Sequence, residues 1–287
     1  MSKQRLKPFE RAVATDPLKL QPRDIALLRD VAEFRFLNTE QILTLHTGSR
    51  RNLMERLSRL YHHGYLDRPV SQTSARLTSA HMVYALGRKG AEQLSKDAEE
   101  REGIYRRVKE VERTLPLMAH SLMISQFRVC LTLAVKAHGA KISRFTQGYD
   151  LKDMLRDVHG ENPSLVPDAF FTIEDKDDVI NFFLEADRGT MKTERFVNKL
   201  KAYWSWRSDE RLKEKLHLAR FRVLTVAPSE RRSDSLRLAG KGGDPRGEGS
   251  LMFLFASETQ YNLSTPKTIL GSIWKSPKDD APHTILE

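Results

Sequence analysis

The chain has 287 residues, 39% hydrophobic and 30% charged, with 48 Lys and Arg against 38 Asp and Glu and a formal net charge of +10. That composition excludes a disordered chain, and the length allows two domains that each bury a core. The basic balance fits a polyanionic partner and argues against cationic substrates, while a single cysteine, Cys130, excludes an internal disulfide and points to a reducing compartment.

Residues 1–19 carry mixed charge without periodicity and read as a mobile basic arm. The start, Met1-Ser2-Lys3-Gln4-Arg5-Leu6-Lys7, has no apolar signal-peptide core. No apolar run approaches bilayer-spanning length, so a cytoplasmic protein with no membrane partner is expected.

Residues 20–94 read as a winged helix-turn-helix domain. A first helix is predicted over 22–34, with Pro22 at its start and Ile25, Leu28, Val31 and Ala32 on its inner stripe. A short helix opens after Asn38, a turn contains Gly48-Ser49, and a further helix runs from Arg50 through Tyr61. Asn38 and Ser49 are polar side chains placed to cap these two helices. Leu53, Leu57, Leu60 and Tyr61, widened by Met54, form the buried stripe of the last helix, which leaves Arg51, Asn52, Glu55, Arg59 and His62 on the opposite face. Two strand-like runs, 65–70 and 81–86, joined by the polar loop 71–80, make the wing.

A helix pair can present a charged face merely to stay soluble, so charge has to decide. From Ser49 to Gly90 there are eight Lys or Arg against two acids, Glu55 and Asp67. Such an imbalance on the helix and wing suits the phosphates of double-stranded DNA. Arg51, Asn52 and Arg59 are expected at base edges with His62 beside them, and Arg50, Arg56, Arg68 and Arg76 at phosphates. Such binding requires no cofactor.

Residues 95–115 mix both charges at helical offsets and read as an exposed connecting helix or dimer arm, with the boundary near Thr114. Residues 116–274 form a mixed α/β domain. Its order is an apolar helix 116–138, strands 141–145, 166–173 and 179–186, a helix 190–206, a strand 221–227, a mobile segment 229–250 with a short helix, and a strand 251–256. Residues 275–287 read as a loose tail.

One constellation in this half could carry chemistry. Pro167-Asp168 opens one strand and Glu185-Ala186-Asp187 ends its neighbour, where Glu185 and Asp187 share a face. Three carboxylates at one sheet edge are the donors Mg²⁺ takes, and a metal held there could activate water against a phosphodiester. A cation could come from Arg188, Lys192 or Lys199. No Gly-rich phosphate loop is present, since residues 240–249 lack the Lys-Ser/Thr ending.

These residues carry a resemblance. Pro167-Asp168 and Glu185-Ala186-Asp187 in their helix-and-strand order are similar to the core of PD-(D/E)xK nucleases. With Val83-Tyr84-Ala85-Leu86-Gly87-Arg88-Lys89-Gly90, His120 and Arg188-Gly189-Thr190, the chain resembles, over about 22–257, the replication-relaxation family of plasmids and integrated mobile elements. The resemblance implies a fold of winged helix plus restriction-endonuclease-like α/β domain, with a role in replication or mobilisation or its control. The expected partners are double-stranded DNA, a second copy in a homodimer, and replication or mobilisation proteins. An active nuclease of that fold carries Lys two residues after the Glu, where this chain has Asp187. The expected function is therefore a sequence-specific DNA-binding regulator with a non-catalytic second domain. The alternative is a Mg²⁺-dependent endonuclease with Asp168, Glu185 and Asp187 as metal ligands and Lys192 as its catalytic cation.

Overall fold

The computed structural model describes residues 7–13, 16–73, 81–112, 115–161, 163–176 and 178–286. Arg76, most of the wing loop, Thr114 and part of the N-terminal arm lie outside them. The chain divides into two compact units, Met1–Gln126 and Phe127–Glu287.

The first unit begins with α1 (Pro22–Phe34), β1 (Leu37–Asn38), α2 (Thr39–Leu45) and α3 (Arg50–His62). It continues with β2 (Leu66–Asp67), β3 (Val83–Leu86), α4 (Arg88–Leu94), α5 (Ala98–Glu112) and the first part of α6 (Leu115–His138). The three strands form a small antiparallel sheet in the order β1-β3-β2. Asn38 caps α2 as expected: its side chain accepts from the Gln41 amide at 2.9 Å, and Gln41 Oε1 accepts from the Asn38 amide at 2.9 Å. Ser49 occupies the same position before α3 but makes no side-chain capping bond. Leu53, Leu57, Leu60 and Tyr61 are buried, which fixes the roll of α3, whereas Met54 is 38% exposed rather than part of the stripe. On α1 the buried apolar set is Leu27, Leu28, Val31 and Phe34, with Ile25 and Ala32 half-buried at its margin.

Both strands behind α3 are shorter than expected. Where the first run ends, the Gln72 side chain takes over as a pairing partner: its Nε2 donates to the Val83 carbonyl at 3.0 Å and its Oε1 accepts from the Val83 amide at 2.8 Å. At the far end of β3, Gly90 lets α4 pack directly on the backbone of the α3–β2 turn. A Cβ there would lie 2.3 Å from the Tyr65 carbonyl oxygen. Glycine inside a helix ordinarily costs stability relative to alanine. Here Gly90→Ala is expected to cost about 1–3 kcal/mol instead, read as a lower urea midpoint.

The second unit contains the rest of α6, β4 (Lys141–Gln147), α7 (Gly148–His159), β5 (Ala169–Asp175), β6 (Asp178–Ala186), α8 (Thr193–Trp206) and α9 (Glu210–Leu216). β7 (Phe221–Ala227), α10 (Glu230–Ala239), β8 (Phe253–Ser257), β9 (Trp274–Lys275) and β10 (Pro282–His283) complete it. Its seven strands run β10-β9-β8-β7-β6-β5-β4, with β6, β7 and β8 parallel and the other pairs antiparallel. β6 is buried through its inner half because both faces are covered. On one face Phe183 meets Tyr203 and Trp206 of α8, in a core shared with α7, α9 and α10. On the other, Phe127 of α6 packs on Phe171, Tyr261 and Trp274. Cys130 is buried on this second side, and burial pushes its thiol up to about 12, so it behaves as a small apolar side chain.

Several expectations need correction. Helices α7 and α9 were not anticipated; α7 buries Leu151 and Leu155 beneath a charged outer face. The short helix expected after Ser229 is present as α10 and longer than expected, with the Ser229 side chain capping it. The tail is not loose, since β9 and β10 pair, Ile285 is buried, and its carbonyl accepts from Arg222 at 3.1 Å. The described part of the arm is also anchored: Arg11 donates to the Leu66 carbonyl at 3.0 Å and pairs with Asp67. Finally, one helix, Pro116–His138, is by length and composition apolar enough to cross a membrane. It is apolar on most sides because 67% of its most apolar window is buried within the protein.

Candidate nucleic-acid interface and acidic cluster

The cations of the first unit divide into pinned and free groups. Arg56 is the most firmly held. Its Nε donates to Asp24 at 2.7 Å, its Nη2 also reaches Asp24 and donates to the Lys19 carbonyl at 2.8 Å, and Asp24 is 1% exposed. The pair ties α3 to the start of α1. The charge of Arg56, expected at phosphate, is matched here by an aspartate in the interior. Arg50 forms a two-pronged pair with Glu40 at the surface. Arg68 donates to the Pro8 carbonyl at 2.7 Å and lies 4.1 Å from the centre of the Tyr61 ring, with Arg11 at 4.4 Å. His62 serves as an acceptor: its Nδ1 accepts a hydrogen bond from the Ala12 amide at 3.0 Å, and burial, then the charges of Arg68 and Arg11, hold its pKa below the usual value.

One exposed face of α3 stands apart from these pinned groups. Arg51, Asn52, Glu55 and Arg59 lie there with no side-chain hydrogen bond or ion pair among the described residues. Met54, exposed beside them, is an apolar group that the sequence placed in the core.

In the second unit the acids of the β5–β6 hairpin converge only in part. The Asp168 amide donates to the Leu184 carbonyl at 3.0 Å, and its Oδ2 accepts from the Ala186 amide at 2.8 Å, so it extends the ladder beyond β5. Glu185 is 3% exposed on the α8 side, where Tyr203 Oη donates to it at 2.6 Å and the Lys199 ammonium pairs with its other oxygen. Burial pushes the Glu185 carboxyl up to about 7; Lys199 opposes that shift and nearby Asp168 adds to it. The Tyr203 hydroxyl is driven well above its ordinary value by burial and by Glu185.

Asp187 is turned to a different task. Arg232 of α10 grips it through Nε at 2.7 Å and Nη2 at 3.2 Å, and the Gly189 amide donates to it at 3.0 Å. Lys192 sits exposed at the N-cap of α8, while Lys199, two turns along, is the lysine at Glu185. The charge of Arg188 is felt at Glu258, where it opposes the burial that raises that carboxyl.

Mg²⁺ needs carboxylate oxygens that can turn to it. Those of Glu185 are taken by an ammonium and a phenol, and those of Asp187 by a guanidinium and an amide. Among the described residues no group of three His, Cys, Asp or Glu side chains converges as a metal site would need. As folded, the trio does not fit the ion.

The family model described as Replication-relaxation matches residues 28–217, about two thirds of the chain. No curated protein and no solved structure matches it.

Proposed function

We propose that this chain, which belongs to the replication-relaxation family, is a sequence-specific double-stranded-DNA-binding regulator of plasmid or mobile-element replication. The first unit is read as a winged helix-turn-helix domain with α3 in the major groove. One observation carries this: α3 buries its apolar side and leaves Arg51, Asn52, Glu55 and Arg59 exposed, while neighbouring cations are tied to internal partners. Arg suits guanine, Asn adenine and a carboxylate the cytosine amine, so this face has the chemistry of base readout. Family membership supports the replication role.

The Arg51→Ala, Arg59→Ala variant is expected to lose about a hundredfold or more in affinity for its site, while keeping the wild-type thermal midpoint. Undiminished binding in a mobility-shift titration would end this reading.

The second unit is read as a PD-(D/E)xK-like fold put to a non-catalytic use, with Lys199 and Arg232 neutralising the acids. An endonuclease is the competing reading, favoured by the nearness of Asp168, Glu185 and Lys199. Supercoiled plasmid incubated with the protein and Mg²⁺ or Mn²⁺ is expected to stay intact. Nicking that vanishes in the Asp168→Ala, Glu185→Ala variant would replace the regulator with the enzyme.

A further inference from the structure

At the amino ends of β6 and β7, opposite the strand ends that carry the acids, the second unit holds a cavity of about 490 Å³. Among the described residues, Arg207, Lys213, Arg220 and Arg222 line it against one carboxylate, Asp178. The charges of Arg220 and Lys213 are only lightly met from within. Arg220 is exposed and has no side-chain partner among the described residues. Lys213 pairs with Glu210, whose side chain is 82% exposed, so water weakens that bond. Arg222 lines the same wall and donates to the Ile285 carbonyl at 3.1 Å. Arg207, Lys213 and Arg220 gathered at one concavity favour the entry of an anion, and oxygen-rich anions match guanidinium geometry.

Two features indicate more than a bare anion. Arg207 is stacked 4.5 Å from the Trp204 ring centre, and a guanidinium plane held this way can receive a nucleobase on its other face. Leu251, 44% exposed, lends the rim apolar surface. The volume also falls within the range of about 300–1,000 Å³ usual for small-molecule sites. We propose that this cavity binds a nucleoside phosphate, with the phosphate held by Arg220 and Lys213 and the base laid against Arg207 and Leu251.

A free nucleotide and the phosphorylated end of a DNA strand present this chemistry alike. The full chain should therefore be titrated calorimetrically with dAMP, with a 5′-phosphorylated single-stranded hexanucleotide, with the same strand lacking its phosphate, and with inorganic phosphate. Saturable binding of dAMP or of the phosphorylated strand is expected, and the tighter of the two names the source. Inorganic phosphate should bind at least about tenfold more weakly than the better probe, as should that probe to Arg207→Ala, Arg220→Ala. Both arginines are exposed, so this variant is expected to keep the wild-type circular dichroism. The Arg51→Ala, Arg59→Ala variant should bind as wild type, which separates the cavity from α3. The proposal falls if neither nucleotide probe saturates, if the strand without phosphate binds equally, or if inorganic phosphate matches the nucleotides. It also falls if replacing Arg207 and Arg220 changes nothing, or if replacing Arg51 and Arg59 abolishes binding.

Discussion

Replacing Lys199 by methionine is expected to lower the unfolding free energy by about 3–5 kcal/mol at pH 8 and by only about 1 kcal/mol at pH 5. The reason lies in Glu185, buried at 3% exposure with its carboxyl pushed up to about 7. A carboxyl whose folded pKa lies above its unfolded one stabilises the fold fully below the unfolded value. That contribution is lost as pH rises through the folded value. Lys199 limits the loss by pairing with the anion. Without it, the chain at pH 8 must bury a bare carboxylate or take up a proton against the solution. At pH 5 the group is already neutral, and only a hydrogen bond disappears. Adding Glu185→Gln should restore most of the stability at pH 8. Urea titrations at the two pH values check this, and equal losses at both would show that Lys199 does not act through the charge on Glu185.

Arg56→Met should lower the stability of the first unit by about 3 kcal/mol, because it strands the carboxylate of Asp24 in the interior. Asp24 would keep the Gln21 amide at 2.6 Å but lose both guanidinium bonds. Adding Asp24→Asn should recover much of the loss. Arg50→Met, by contrast, should shift the midpoint little, because the Arg50 side chain is 61% exposed and its pair with Glu40 competes with water. An Arg56→Met protein that unfolds like wild type yet binds DNA as poorly as Arg51→Ala would return Arg56 to the phosphate backbone.

These two residues show where sequence is informative and where it stops. Periodicity sets the roll of α3, since Leu53, Leu57, Leu60 and Tyr61 fall on one side whatever they pack against. The Asn38–Gln41 box is equally local. Arg51 and Arg56, however, are the same residue type in one helix, and a partner 32 positions away separates their surroundings. No local pattern reports such a partner. Lys199 did leave a trace: with Phe196, Leu200 and Tyr203 it shares the helix face that packs on the sheet, and an ammonium on an apolar stripe implies a buried acid opposite. Proximity to the hairpin in sequence favoured Lys192 instead. In α7, Gly148 and the surrounding charges obscured the spacing of Leu151 and Leu155.

The order of strands also governs how the second unit can be assembled during synthesis. β4, β5 and β6 follow one another as neighbours, so this ribbon can form as soon as it leaves the ribosome. The long side of β6, with Phe182, Phe183 and Leu184 along it, then has no backbone partner until Phe221–Ala227 has been translated, and β7 in turn waits for β8. During that interval the nascent chain presents an apolar template to any other strand in reach, so this is where chaperones and translation speed would govern the yield of native protein.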